Sequence, residues 1–193
     1  TGNMSNAANH MDYAGSEWRI GDTLQAAIGQ SDSVFTPLQL AEYCAAVANN
    51  GERHSASILK SIRNYDYSEK VYERQDEVLS TVESPQYNWD AIHEGMKEVI
   101  NSPLNETNYL NFYDCAVTVA GKTGTAQKGE GIKNDGLFIC YAPYEDPEIA
   151  VAVVVERGHA GASVGFIARQ IVDVYLNIRS YSNTSESEMS LLK

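Results

Sequence analysis

The residues best equipped for chemistry stand together at Lys122-Thr123-Gly124-Thr125. On an edge strand the lysine would supply a fixed positive charge to a cleft, and the threonine hydroxyls would hold a carboxylate. The glycine would leave room for a substrate backbone to lie alongside. The same residues also suit a strand end running into a turn, and the tetrapeptide alone does not separate the two readings. Other patterns imitate catalytic signatures and fail on context. Residues 116–123 follow a phosphate-loop pattern with Ala116 in place of the first glycine, but Val117-Thr118-Val119 are strand formers. A phosphate loop needs flexible residues whose amides curl around an anion, then a helix N-terminus; here Gly124, Gly129 and Gly131 follow instead. Gly161-Ala162-Ser163-Val164-Gly165 matches a nucleophile elbow, which places its serine at the tip of a strand. Residues 157–162 intervene, and His10, His54, His93 and His159 all precede the serine. Capping of a final helix is the better reading of Ser163. Ser57-Ile58-Leu59-Lys60 and Ser190-Leu191-Leu192-Lys193 have the spacing of a serine nucleophile and its lysine base. That pairing works at a helix start; the first match lies in an extended stretch and the second at the chain end.

Several elements must position these residues. Residues 1–15, rich in Asn, Ser and Gly, read as a loop or tail. Thr36 is a good N-cap, Pro37 suits the first helical position and Gln39 completes a capping box. Leu40, Cys44, Val47 and Ala48 recur at helical spacing until Asn49-Asn50-Gly51, where Gly51 is available for a left-handed cap. Residues 57–82 are extended, with Ile62, Tyr65, Tyr67, Val71 and Tyr72 around Ser68-Glu69-Lys70 predicting a hairpin. A helix follows over about residues 89–100, with Trp89, Ile92, Met96 and Val99 on its stripe and Pro103 as its stop. Gly95 inside it costs roughly 1 kcal/mol against alanine, which predicts a closely packed neighbour. Residues 116–127, 137–141 and 149–155 read as strands, the last two joined by a short turn. Residues 149–155 are almost wholly apolar, as in a strand covered on both faces. The final helix should present Val164, Ile167, Ile171, Val174 and Ile178, and residues 180–193 form a Ser-rich tail expected to be disordered.

Composition narrows the class. With 193 residues the chain suits one domain, and 43% hydrophobic content allows a real core. A net charge of -12 argues against nucleic acid, since neutralising phosphates takes clustered Lys and Arg. No apolar run spans a bilayer and no signal peptide opens the chain, so an anchor would lie outside these residues. Cys44, Cys115 and Cys140 have no metal-ligand spacing, and Cys44 and Cys140 sit in apolar patterns as small buried hydrophobes.

Ala27-Ile28-Gly29-Gln30 precedes Thr36-Pro37-Leu38-Gln39-Leu40-Ala41 and Ala48-Asn49-Asn50-Gly51. Ala120-Gly121-Lys122-Thr123-Gly124-Thr125-Ala126-Gln127 follows, then Tyr141-Ala142-Pro143 and the apolar run ending at Glu156. Gly95-Met96 and Ile167-Ala168-Arg169 lie between and after them. In order and spacing these segments resemble a class B penicillin-binding protein of the elongation type, over about residues 21–176. Lys-Thr-Gly is one of the motifs of such proteins.

The resemblance implies an α+β fold of the β-lactamase/transpeptidase kind, an antiparallel sheet flanked by helices. The fold would be incomplete here, because the N-terminal part of the domain is absent. Residues 1–20 would be a polar loop or tail, 21–179 the C-terminal part of the transpeptidase domain, and 180–193 a disordered tail. The implied activity is peptidoglycan D,D-transpeptidation through a serine acyl-enzyme. Lys122 would line the cleft, Thr123, Gly124 and Thr125 would bind substrate, and the Thr125 N–H would form half of the oxyanion hole. The implied ligands are stem peptides and β-lactams, with other cell-wall synthesis proteins as partners and no metal or organic cofactor. The implied place of work is the extracytoplasmic face of the cytoplasmic membrane, on an N-terminal anchor. Ser31 departs from the family's usual glycine, and Asp135-Gly136-Leu137 from its usual aromatic pair. No Ser-x-x-Lys at a helix start and no Ser-x-Asn occurs, so the chain reads as truncated and inactive alone. The missing part would leave apolar sheet surface uncovered, favouring self-association. A non-catalytic scaffold module, a serine β-lactamase and a D,D-carboxypeptidase all remain compatible with the sequence.

Overall fold

The computed structural model describes residues 2–129 and 131–176. Two short helices open it, α1 (His10–Ala14) and α2 (Ile20–Ala27), followed by α3 (Pro37–Ala48). Four short strands come next: β1 (Glu52–His54), β2 (Ser61–Arg63), β3 (Lys70–Glu73) and β4 (Val78–Thr81). Helices α4 (Gln86–Asn101) and α5 (Glu106–Phe112) lead into β5 (Ala120–Ala126), β6 (Asp135–Ala142) and β7 (Ile149–Val155). A 3-10 turn (Gly161–Val164) then runs into α6 (Gly165–Tyr175). Among the described residues no helix is long and apolar enough to cross a membrane.

The sheet that matters is β5-β6-β7, antiparallel throughout, with Lys122 opposite Ile139 and Thr125 opposite Gly136. A turn of this length cannot carry a parallel crossover, so the antiparallel pairing expected for β6 and β7 is met. Alternation along β6 sends Phe138, Cys140 and Ala142 to one face, where Phe112, Val164, Ala168 and Val172 cover them. Tyr141 turns to the other face and packs with Cys44, Val47 and Met96. Phe138 is fully buried and stacks on Phe112 with centroids 5.8 Å apart. Truncating such a side chain to alanine typically costs about 3–5 kcal/mol.

Much of the helix chemistry is as expected. Thr36 Oγ1 accepts from Gln39 N–H at 3.2 Å, and Gln39 Oε1 accepts from Thr36 N–H at 3.0 Å, closing the capping box of α3. Gly51 has φ +96°, and a Cβ there would meet Val82 O at 2.6 Å and the Trp89 ring at 2.7 Å. The hairpin is formed by β2 and β3, while β1 pairs with β4 outside it. Burial pushes the Cys44 thiol up to about 12 and raises Cys140 well above its ordinary value, as inert core cysteines should be.

Other expectations need correction. The opening stretch, expected as a polar loop or tail, is packed in its described part: Asn3, Ser5 and His10 are buried. Asn3 and Val34 exchange backbone bonds of 2.7 and 2.9 Å, so the opening segment packs on the loop after α2. Strand β5 begins at Ala120, because the β-branched residues 117–119 lead into it rather than pairing. The buried stripe of α4 is Trp89, Met96 and Ile100, with Ile92 turned outward, and among the described residues nothing lies within 4 Å of a Cβ at Gly95. Close packing therefore does not explain that glycine in this structure. Strand β7 is half-covered: Val151 and Val153 are buried, whereas Val154 is exposed.

The final helix keeps part of its expected face: Val164 is buried and Ile167 packs against the core, while the residues one turn on do not follow. Alpha-helical geometry begins only at Gly165, after the 3-10 turn, and Ser163 makes no cap bond. The buried side of α6 is Ala168, Arg169, Val172 and Asp173, and Ile171 and Val174 are exposed. The buried side carries an ion pair. Arg169 Nε donates to Asp173 Oδ1 at 2.7 Å, and Arg169 Nη1 to Asp114 Oδ1 at 2.8 Å and to Asn111 O at 3.2 Å. These bonds bind α6 to the end of α5, an element invisible to the apolar pattern. Ile171 and Val174 instead line an open groove with Ile149 and Ile167. Ile178 and residues 180–193 lie outside the described residues.

Candidate active site at the free sheet edge

Strand β5 is an edge strand, with β6 on one side only. In an antiparallel strand the N–H and C=O of one residue point the same way, and successive residues alternate. Gln30 Nε2 donates to Thr125 O at 2.8 Å from the side away from β6. Lys122 Nζ likewise donates to Thr123 O at 2.8 Å. The main-chain groups of Thr123 and Thr125 therefore face the free edge, and the Thr125 N–H points outward as an oxyanion donor would.

Side chains alternate too. Thr123 and Thr125 share the face of the 3-10 turn, and Lys122 and Gly124 take the opposite face. Gly161 N–H donates to Thr125 Oγ1 at 3.2 Å. Because the hydroxyl accepts that bond, its own proton stays available to donate. Lys122 is exposed and its amine curls over the edge, bringing the cation back to the threonines. A Cβ at Gly124 would meet only Leu137, at 3.2 Å, so this part of the lysine's face is open. Lys122, Thr123, Gly124 and Thr125 thus present a cation, a hydroxyl and an edge N–H in one place.

Both ends of this stretch are closed. Met96 and Ile100 of α4 reach opposite faces at Ala120 and Gly121, and Asn101 Nδ2 donates to Val119 O at 2.9 Å. At the other end Gln30 pairs with Thr125 O and accepts from Gln127 N–H at 3.4 Å. Neither closure was legible as a site feature.

The remaining motif candidates fall away. Ser57 Oγ donates to Leu59 O at 3.2 Å in an irregular stretch, with no helix start beside it. Ser163 sits in the 3-10 turn and no histidine follows it. The match at residues 190–193 is outside the described residues. Among the described residues no cluster of His, Cys, Asp and Glu could hold a metal ion.

The two family departures have local causes. Ser31 adopts φ +71°, and its Oγ accepts from Ser5 Oγ at 3.0 Å, a bond that glycine could not make. Asp135 accepts from Arg157 N–H at 2.9 Å, and a Cβ at Gly136 would press on Ala160 O and Val164 at 3.1 Å.

Comparison with known proteins bears on the family and the fold. The family described as penicillin binding protein transpeptidase domain matches residues 2–173, starting earlier than the expected boundary at 21. The peptidoglycan D,D-transpeptidase MrdA of Haemophilus influenzae is 33% identical over 180 residues, covering 84% of this chain and 27% of that protein. The chain thus spans about a quarter of that relative's length. The crystal structure of Pseudomonas aeruginosa PBP2 in complex with WCK 5153 superposes with TM-score 0.74 at 28% identity, over 96% of this chain and 40% of that one. Penicillin-binding protein A from M. tuberculosis, solved as an imipenem acyl-enzyme complex, gives 0.67 at 28% identity over 79% and 33%. A sheet edge carrying Lys-Thr-Gly-Thr, a match along nearly the whole chain and these superpositions agree: the chain belongs to the transpeptidase domain family of class B penicillin-binding proteins.

Proposed function

We propose that this chain supplies the sheet-edge half of a peptidoglycan D,D-transpeptidase site, with the serine nucleophile contributed by a segment outside these residues. The observation that carries the proposal is the outward-facing Thr125 N–H beside the Lys122 amine on an open edge. The serine would attack the penultimate D-Ala carbonyl of a stem peptide, and the Thr125 N–H with the nucleophile's own amide would stabilise the oxyanion. Collapse of that intermediate breaks the peptide bond and releases the terminal D-Ala as a protonated amine. An amine of a neighbouring stem then attacks the ester, and as the serine C–O bond breaks it gives one of its own protons to the serine oxygen.

Thr123 and Thr125 hydroxyls would grip the terminal carboxylate, and Lys122 would add the charge that attracts it. β-Lactams would enter as mimics of the donor and remain as slowly hydrolysed acyl-enzymes. The cross-linking would take place at the extracytoplasmic face of the membrane. The test is Lys122→Ala in the full-length protein, followed with a labelled penicillin. Acylation should slow by on the order of a hundredfold while the circular dichroism stays unchanged, because the side chain is exposed. Unaltered acylation kinetics would remove Lys122 from the site.

A further inference from the structure

We infer that Gln30 is the positioning residue of this site, holding Thr125 so that its N–H is presented to the oxyanion; the inference rests on the transpeptidase reading above. Its backbone is fixed from both sides. Helix α2 closes with Gly29 at φ +79°, Gly29 N–H bonded to Ala26 O at 3.0 Å and Gln30 N–H to Gln25 O at 3.0 Å. This left-handed cap turns the chain at once and sends the next side chain to the sheet. Beyond it, Ser31 is also left-handed, and the opening segment holds the loop. Ser5 N–H donates to Ser33 Oγ at 3.1 Å, Asn3 Nδ2 to Asp32 O at 3.0 Å, and buried His10 bonds the Asp32 carboxylate.

From this mount the Gln30 amide does what a neighbouring strand would do for one residue pair. It donates to Thr125 O at 2.8 Å and accepts from Gln127 N–H at 3.4 Å. Gly161 N–H holds the hydroxyl of the same threonine at 3.2 Å. Thr125 is therefore gripped at its carbonyl and at its side chain, and its outward N–H keeps one direction. A donor set in place before the reaction needs no reorganisation when negative charge develops, which is why such donors accelerate acyl transfer. The contribution of Gln30 comes through Thr125; it does not touch the reacting atoms.

The experiment compares wild type, Gln30→Glu and Gln30→Met in the full-length protein. Glutamate keeps the shape but sets a carboxylate against Thr125 O, and methionine keeps the length with neither bond. Penicillin acylation is resolved by rapid mixing into a dissociation constant for the non-covalent complex and a rate constant for acylation. The rate constant should fall about tenfold in both variants, with the dissociation constant and the melting temperature close to wild type. A rate constant within about twofold of wild type in both variants overturns the inference. So does a loss confined to non-covalent binding, or one accounted for by unfolded protein. If the wild type takes no acyl group, the transpeptidase reading falls and this inference with it. Normal wild-type acylation with unaffected variants removes the inference alone.

Discussion

Gly161 crosses the sheet directly above Gly124, and its N–H donates to Thr125 Oγ1 at 3.2 Å, tying the turn before α6 to the free edge of β5. A Cβ on Gly161 would lie 2.6 Å from Gly124 N and still closer to the carbonyl oxygens of Gly124 and Leu137. All of these are sheet backbone atoms, which cannot swing aside as a side chain would.

Gly161→Ala should therefore lift the turn, break the bond to Thr125 and destabilise the chain by about 1–3 kcal/mol. Urea denaturation followed by circular dichroism measures this. An unchanged midpoint would mean that the crossing is looser than the geometry requires.

Asp135 gives the fold an acid-sensitive joint. Lys128 Nζ at 2.7 Å and the Arg157 N–H at 2.9 Å hold its carboxyl below the ordinary value of 3.8. A lowered folded value means that folding favours the ionised form, so this stabilisation is fully present above pH 3.8. It is lost as the pH falls through the lowered value. Asp135→Asn should be less stable than wild type near neutral pH, and the gap should close in acid. Urea midpoints for both proteins from about pH 7 to about pH 2.5 check this. A gap independent of pH would show that ionisation is irrelevant there.

The described residues hold no serine beside a lysine at a helix start, so this chain alone should form no acyl-enzyme. Ser57 is engaged with its own backbone, in bonds of 3.2 and 3.1 Å with Leu59. Incubation of the purified chain with a labelled penicillin should leave its intact mass unchanged. A stable one-to-one adduct would contradict the proposed division of the site and return Ser57 and Ser163 to consideration.

Local rules of the sequence already determined a great deal. Thr36, Pro37 and Gln39 start α3 because capping depends on neighbours along the chain. Gly51 ends it because a left-handed turn there leaves no space for a Cβ. The apolar run at Ile149–Val155 is a strand, and its short connection to β6 dictates antiparallel pairing. Lys122-Thr123-Gly124-Thr125 could be singled out because a cation, hydroxyls and a glycine on an edge strand make one coherent binding chemistry.

Tertiary structure decided what depends on partners distant in sequence. The face of α6 could be read only in part from its apolar stripe: Val164 and Ile167 pack inward, but Arg169 and Asp173 are buried while Ile171 and Val174 are exposed. Arg169 is satisfied by Asp173 and by Asp114 and Asn111, which lie on and after a helix of weak apolar pattern. The folded opening segment was equally hidden: Asn3, Ser5 and His10 are polar, and burial suits them only where the loop after α2 supplies their bonds. Gln30 meets Thr125 across 95 residues of chain. No periodicity records such a meeting, because it arises only when a helix stop and a sheet edge are brought side by side.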